Sequence, residues 1–475
     1  MRLRQLLDGM ATVSEDLPIT ALTCDSRRVT EGCLFVCIDG VDTDGHGFAA
    51  EALANGAAAV MVERDLGLPQ QIRVPDTRQA WALLSANWFG HPAKRLKLIG
   101  VTGTNGKTST VFMLRQMLET CGFTVGLCGT VQYSVGDRTV PSDATTPDAY
   151  TLQKLLRRMV DAGCDFAVME VSSHSLAQQR VAGLRFDAAV FTNLTQDHLD
   201  YHQTMENYGN AKRQLFLQSD CAVVPFDDPW SARMTAGLTC PITRFSAGEG
   251  GEVTATDVVY RPDGVDFTVA AGDRQQRVSL PVPGEFSVKN AIGAVAAALA
   301  IGLPFEAVCH AVSYMTGVKG RAEIVPTDRP FTVVIDYAHT PDGLEQICRA
   351  LQHGLCGRLM VLFGCGGDRD RTKRPLMGAV AAKWADLTVV TSDNPRFEDP
   401  NTIIDDILQG IPSGSPTAVI PDRTEAIRWV LEHAEAGDTV LLAGKGHETH
   451  QIVNGRVLPY DERQIVAEVL AKRKD

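Results

Sequence analysis

Short apolar runs recur along this chain, each ending in a glycine-rich or polar turn and followed by a segment of helical period. That alternation predicts buried strands joined through helices, an α/β chain. The pattern is sharpest where an apolar strand, Leu96 to Val101, enters the turn Gly103-Thr104-Asn105-Gly106-Lys107-Thr108-Ser109. Val111, Met113, Leu114, Met117 and Leu118 then predict a helix from Thr108 to Thr120. Glycines there let backbone N–H groups curl around a phosphate, and the helix N-terminus adds partial positive charge. Lys107 has the reach for β- and γ-phosphates, and Thr108 or Ser109 for Mg²⁺. Only two residues separate Gly103 from Gly106, against four in the usual P-loop. A plain strand–turn–helix joint is the alternative, but Gly-Lys-Thr-Ser after a good strand favours a nucleotide.

Upstream, residues 1–92 predict a small α/β domain. Ile19 to Val29 reads as a strand ending in a polar loop, Gly32 to Ile38 as a second strand, Phe48 to Asn55 as a helix and Ala57 to Val62 as a strand. Asp25-Ser26-Arg27 has two readings, a polar-ligand contact or a turn with a surface salt bridge. His91 to Lys94 reads as a linker.

Residues 93–318 form the predicted central domain. Val125 to Thr130 is a strand, and a polar loop, Asp143 to Asp148, precedes a helix running to about Ala162. Thr145 there caps the helix, the default, or touches a ligand. The strand before Ser172 ends in Glu170, where open α/β sheets hold ligands, and a carboxylate in a buried strand is costly unless paired or metal-bound. Ala188 to Leu194 leads into Gln196-Asp197-His198-Leu199-Asp200-Tyr201-His202. Without a His-Glu-x-x-His pattern, this suits oxygen-rich Mg²⁺ chemistry with one histidine better than zinc. Lys212, on the helix Glu206 to Gln218 beside Tyr208, Leu215 and Phe216, reads as a snorkelling surface lysine. Residues 221–285 alternate as β structure with a turn at Arg261-Pro262-Asp263-Gly264. Asn290 stands at the expected start of an alanine-rich helix, Ala291 to Ile301.

Residues 319–475 alternate strands and helices regularly. Four strand ends carry chemistry: Asp336-Tyr337-Ala338-His339, Gly364-Cys365-Gly366-Gly367-Asp368-Arg369, Asp393-Asn394-Pro395-Arg396 and Gly444-Lys445-Gly446-His447-Glu448. In a parallel sheet these loops share one edge. Arg with Glu suits a zwitterion, guanidinium to carboxylate and carboxylate to ammonium.

Bulk properties narrow the function. A chain of 475 residues exceeds one core and implies about three domains. A net charge of −12 excludes a general nucleic-acid or anionic-membrane binder. The N-terminus lacks a signal-peptide core, and no apolar run approaches the ~20 residues of a membrane span. The twelve cysteines are scattered without a Cys-x-x-Cys pair, as in reduced, cytoplasmic cores. Cys365 is read as a small residue in a tight turn.

Gly103 to Thr108, Met169-Glu170-Val171-Ser172-Ser173-His174, Asp197 to His202, Asp336 to His339 and Asp393 to Arg396 occur in this order. Together they resemble the Mur ligases of peptidoglycan synthesis over essentially the whole chain, although the glycine loop alone also fits folylpolyglutamate synthases. The resemblance implies three domains: a small N-terminal α/β domain, a central P-loop-type ATP-binding α/β domain and a C-terminal Rossmann-like domain. It implies an ATP- and Mg²⁺-dependent ligase, a cytoplasmic monomer acting on small molecules. The reaction would add meso-diaminopimelate to the D-glutamate of UDP-N-acetylmuramoyl-L-alanyl-D-glutamate through an acyl phosphate.

By the same resemblance, Cys24, Ser26, Val41, Asp42 and Thr43 would hold the UDP end. Thr145, Thr146, Ser172, Gln178 and Arg180 would hold the muramoyl-dipeptide, with Ala144 where the family often has Asn. Gly103 through Ser109 with Asn290, Arg321 and Asp336 would bind ATP. Thr108, Glu170, His198 and a carbamylated Lys212 would serve Mg²⁺, which reverses the surface reading of Lys212. Lys107, Lys212, Glu170 and His198 would carry the chemistry, with His339 and Asp336 as candidate bases for the amine. Arg369 and Arg396, within Asp393-Asn394-Pro395-Arg396, would clamp the extra carboxylate of diaminopimelate, and Gly444 and Glu448 its distal ammonium. A folate-type glutamate ligase, a P-loop switch or motor, and a non-catalytic UDP-sugar-binding regulator are the competing readings. The Asp393–Arg396 stretch, the irregular loop spacing and the retained Lys107, Glu170, His198 and Lys212 count against them in turn.

Overall fold

A computed structural model of the chain describes residues 1–40, 43–261, 264–353 and 355–472. The expected ligand residues Val41 and Asp42, and Pro262-Asp263 of the expected turn, lie outside the described residues. The chain forms two compact units: Met1–Gly100 with Phe123–Ala189 and Gln214–Asp220, and Val101–Gly122 with Val190–Arg213 and Cys221–Asp475.

In the first unit, Leu22–Thr23, Leu34–Val36, Ala59–Val62 and Gln71–Arg73 make a parallel four-stranded sheet in that order. Alternate residues face opposite sides. Leu34, Val36 and Met61 join Leu6, Trp81 and Leu84, whereas Phe35, Val60 and Val62 join Cys33, Cys37 and Ala52. Both faces are covered, so the strands read as unbroken apolar runs. They are shorter than the sequence suggests, since the flanking polar residues enter turns. Val125–Cys128 pairs parallel with Phe166–Glu170 and antiparallel with Tyr133–Val135. The helix Ala149–Asp161 starts from Asp148, whose carboxylate accepts from the N–H groups of Tyr150 and Thr151. Thr145 is therefore not the cap; the Asp148 side chain beside the first turn does that work.

In the second unit, the helix Lys107–Thr120 packs on the helix Glu285–Ala300. That second helix begins earlier than its alanine run suggests, because Gly284 (φ +96°) sets the turn before it. Asn290 thus lies within the helix rather than at its start. Parallel strands Ala222–Pro225, Ile242–Ser246 and Val253–Arg261 continue into the antiparallel Gly264–Ala271 and Arg274–Leu280. A short helix, Ser231–Thr235, interrupts the expected run of β structure.

The C-terminal sheet runs in the order Glu323–Val325, Thr332–Asp336, Thr439–Ala443, Leu359–Phe363, Leu387–Val390, Thr417–Val419. All but the first are parallel, with Asp336 level with Ala443 and Phe363 level with Val390. Apolar clusters cover both faces, Leu344, Ile347 and Met377 on one and Ile427, Val430 and Val466 on the other. The crossovers make this a doubly wound sheet, and they carry the expected loops to one edge.

Candidate active site

The strand Lys97–Thr102 delivers the chain into the glycine turn, and Gly106 is the residue before the helix, at φ +83°. A Cβ on Gly106 would lie 2.4 Å from Asn290 Oδ1, and one on Gly103 (φ +150°) 1.9 Å from Thr192 Oγ1. Glycine is required at both, by backbone conformation and by close approach. The turn is pinned from outside: the N–H of Thr104 donates to Asn193 O (2.9 Å), and that of Asn105 to Asn193 Oδ1 (3.0 Å). Lys107 Nζ folds back to donate to Gly103 O (3.0 Å) and Thr104 O (2.8 Å). Ser109 follows in the first turn of the helix.

Residues distant in sequence converge on this turn. Arg321 donates to Thr108 Oγ1 (3.0 Å), and its guanidinium lies 4.5 Å from the centre of the Tyr337 ring. Asp336 accepts from the N–H groups of Ala322 (2.6 Å) and Ala338 (2.7 Å). Burial pushes its carboxyl up, against the pull of Arg321. Asn105 Nδ2 donates to Asp342 Oδ2 at 2.7 Å. The sequence assigns Asp342 no role of its own, because an acid in the first turn of a helix normally needs no further reason.

Lys212 overturns its surface reading. It is 1% exposed, donates to Gly103 O at 2.6 Å and lies 4.4 Å from the centre of the Tyr208 ring. Burial, and then the nearby Lys107, hold its ammonium well below the usual lysine range. Nearby, buried Asp197 faces His198 Nε2 (3.4 Å), Lys373 Nζ (3.8 Å) and His339 Nε2 (3.9 Å). Burial works against its charge, but attraction from His198, His339 and Lys373 outweighs it and holds the carboxyl below the usual carboxylate range. Lys373, also missed, opens a helix and looks in the sequence like a solvated lysine.

In the other unit, Glu170 has no exposure, so its charge is met by protein. Its carboxylate accepts from the N–H (2.7 Å) and hydroxyl (3.0 Å) of Thr130, whose hydroxyl also meets that of Thr145 (3.0 Å). Thr146 donates to Glu170 O (2.8 Å) and accepts from Ser172 N (3.1 Å), and Arg180 bridges Thr146 O (2.7 Å) and Gln178 Oε1 (2.7 Å). The five residues expected to hold the dipeptide thus form one network with Glu170. Ser26 sits in a short 3-10 turn capped by Asp25, which Arg27 Nε contacts at 2.9 Å, the salt-bridged turn of the two readings. Cys24 and Thr43 are exposed.

At the C-terminal edge, Arg396 donates to Gly367 O (2.7 Å). A Cβ on Gly366 would lie 2.8 Å from Arg396 Nη1 and 3.8 Å from Arg369 Cγ, so the two arginines flank this glycine. Burial, and then the charge of Arg369, hold the Arg396 guanidinium below its usual range. The repulsion of Arg369 on Arg396 is what an incoming carboxylate would relieve. Asn394 Nδ2 donates to Glu448 Oε2 (2.9 Å), and the buried Lys445 donates to that oxygen (2.9 Å) and to Asn394 Oδ1 (3.0 Å). Lys445 was legible as a loop lysine, but its burial was not. Pro395 O packs on Gly367, and Asp393 Oδ2 on Gly444 (φ +110°). Cys365 is buried in its turn, as expected.

Among the described residues no three His, Cys, Asp or Glu side chains cluster to hold a metal ion. The oxygen-bearing Thr108 beside a phosphate-type turn instead fits Mg²⁺, which keeps waters and takes phosphate oxygens rather than an all-protein cage.

Three family models match in order: Mur ligase family, catalytic domain, over residues 18–87; Mur ligase middle domain over 101–298; and Mur ligase, glutamate ligase domain over 320–446. The chain is 45% identical over 480 residues to the UDP-N-acetylmuramoyl-L-alanyl-D-glutamate–2,6-diaminopimelate ligase of Caldanaerobacter subterraneus subsp. tengcongensis, covering 99% of each. It is also 45% identical to the protein of that name from Gloeobacter violaceus, covering 100% of this chain and 99% of the relative. A solved structure of a ligase of that name superposes with a TM-score of 0.72 at 34% identity, covering 100% and 99% of the two chains. The MurF ligase of Thermotoga maritima, solved in complex with ADP, shares the fold at a TM-score of 0.66 and 21% identity, with 95% and 98% covered. With all three family models and near full-length relatives agreeing, the chain belongs to the Mur ligase family.

Proposed function

We propose that this protein is an ATP-dependent carbon–nitrogen ligase of peptidoglycan precursor synthesis. It joins meso-diaminopimelate to the D-glutamyl γ-carboxylate of UDP-N-acetylmuramoyl-L-alanyl-D-glutamate. Near full-length identity to ligases of that name supports the reaction. The observation that carries the choice of amino acid is Arg396, half-buried and pressed by Arg369, with Glu448 among the charges acting on it. That set grips both ends of a zwitterion with one carboxylate more than lysine has.

The substrate carboxylate oxygen attacks the γ-phosphorus of ATP; that O–P bond forms, the β–γ bridge breaks and ADP leaves. The amine then attacks the acyl carbon, phosphate leaves and the amine's proton passes to a base. Lys107 and the start of its helix neutralise the transferring charge. Asn290, Arg321 and Asp336 complete the nucleotide site. Thr108, His198 and Lys212 would hold Mg²⁺, as would Glu170 within its own unit, and the ion would supply Lewis-acid charge stabilisation. Burial, and then Lys107, make the Lys212 ammonium easier to deprotonate, which is the direction that carbamate formation with carbon dioxide requires. His339 is the better candidate base: Nδ1 faces Tyr337 O at 2.8 Å, so an N–H there leaves Nε2 with its lone pair. Asp336 already accepts two backbone N–H groups.

The UDP end belongs with Cys24, Ser26 and the loop through Thr43, and the dipeptide with Thr145, Thr146, Ser172, Gln178 and Arg180. Boundaries near residues 92 and 318 are supported by where the three family models begin and end. Twelve free thiols suit a reducing cytoplasm. One chain carries every assigned segment, in keeping with a monomer.

The test is phosphate release with ATP, Mg²⁺ and the UDP-muramoyl-dipeptide, adding meso-diaminopimelate or L-lysine in parallel. Release with diaminopimelate only, and a matching mass gain on the UDP substrate, is expected. Release with lysine instead would discard the arginine clamp, and release with neither would favour a switch or motor.

A further inference from the structure

A guanidinium with no exposure lies beneath the C-terminal loops. Arg423 opens the helix Arg423–Glu432 and Glu462 opens the helix Glu462–Lys472. Both side chains are 0% exposed, and Arg423 Nε donates to Glu462 Oε1 at 2.8 Å. A cation at a helix N-terminus opposes the helix dipole, and a buried ion pair is often no more stable than apolar residues of the same size. Stability is therefore a weak reason for this pair.

Its other contacts give a better one. Arg423 Nη2 donates to Ala443 O (2.8 Å) and Nη1 to Ser392 O (3.3 Å). The next residues, Gly444 and Asp393, begin the two loops assigned to the ends of the amino acid. The strands that deliver them, Thr439–Ala443 and Leu387–Val390, are not neighbours, because Leu359–Phe363 runs between them. That middle strand pairs with both and sets the strands two spacings apart, while beyond the strand ends side chains join the two loops, Asn394 with Glu448 and Lys445. The planar fork of Arg423 spans that gap, as a lysine's point charge does not.

We propose that Arg423, neutralised by Glu462, is a positioning residue that fixes the spacing between the Asp393–Arg396 and Gly444–Glu448 loops, and so the length of amino acid both can grip. This rests on the amino-acid site assigned above. The test compares wild type with R423K and with R423M/E462L, which leaves no lone buried charge. Steady-state KM for the amino acid, ATP and the UDP substrate is measured separately from kcat. The double variant is expected to raise the amino-acid KM tenfold or more, with the other two KM values within twofold and R423K in between. An unchanged amino-acid KM in a variant with wild-type circular dichroism, or a parallel rise in all three, would overturn it. Should the double variant not fold, R423K decides alone by the same criterion. A wild type that prefers another amino acid removes the diaminopimelate assignment but not the test, which is then made with that acid.

Discussion

Lys107 and Lys212 donate to the same oxygen, the carbonyl of Gly103, at 3.0 and 2.6 Å. Two full ammonium charges on one buried acceptor repel, and the buried partner is the one whose proton is easier to lose. Lys212 is thereby separated from the ordinary surface lysine. K212M should keep the fold by circular dichroism and lose turnover by about 100-fold or more, as when a charge-stabilising group is removed. Near-normal turnover would take this lysine out of the chemistry.

The second expectation concerns Arg396. R396M should cut kcat/KM for diaminopimelate by about 30-fold or more, corresponding to ~2 kcal/mol, since it leaves a ligand carboxylate unpaired. Activity with lysine, which lacks that carboxylate, should change far less. Parallel assays of both amino acids check this; equal losses would place Arg396 in a purely structural role.

Gly106 offers a backbone test. G106A forces a Cβ at φ +83° into Asn290 Oδ1, so the turn and the helix start must shift. Nucleotide affinity, measured by calorimetry with ADP, should fall by at least tenfold while the amino-acid loops are untouched. Unchanged affinity would mean that the turn does not hold phosphate.

A fourth expectation is a pH dependence. Burial, and then Arg321, Arg463 and Lys319, hold the His447 imidazole down at about 3. In the unfolded chain it titrates near ~6.5. Between those values the unfolded chain binds a proton the folded one does not, so stability rises with pH across that window and is lost on acidification. His447 packs 5.0 Å from the Tyr337 ring, which H447F preserves. Urea midpoints at pH 5 and 7.5 should differ less in H447F than in wild type; identical differences would clear His447.

The loops at the C-terminal edge were legible because each follows an apolar strand that parallel pairing sends the same way. The glycine turn was legible for the same reason. Burial of single polar residues was not. A helical repeat places Lys212 on a face with Tyr208 and Phe216 but does not say which face is covered, and only its resemblance to a family marked it. Asn290 was misplaced because alanines advertise a helix more loudly than the glycine that starts it. Thr145 lost the cap to Asp148, which stands nearer the first turn. The partners of Asp342 and Lys373 carry no local signal, since they lie far along the chain, and the loop position of Lys445 does not disclose its burial.

The loop bearing Arg396 is tied to the hairpin His450–Val453 and Arg456–Pro459: Arg396 N donates to Ile452 O (3.0 Å), and Asn454 N to Arg396 O (2.6 Å). A growing polypeptide is made in order and folds as it emerges. The nucleotide turn, some 350 residues earlier by residue number, is synthesised long before the strap that sets Arg396. The nascent enzyme thus acquires the fuel site first and discrimination among amino acids last, and a ribosome that stops short of residue 450 releases a product without the support for that choice.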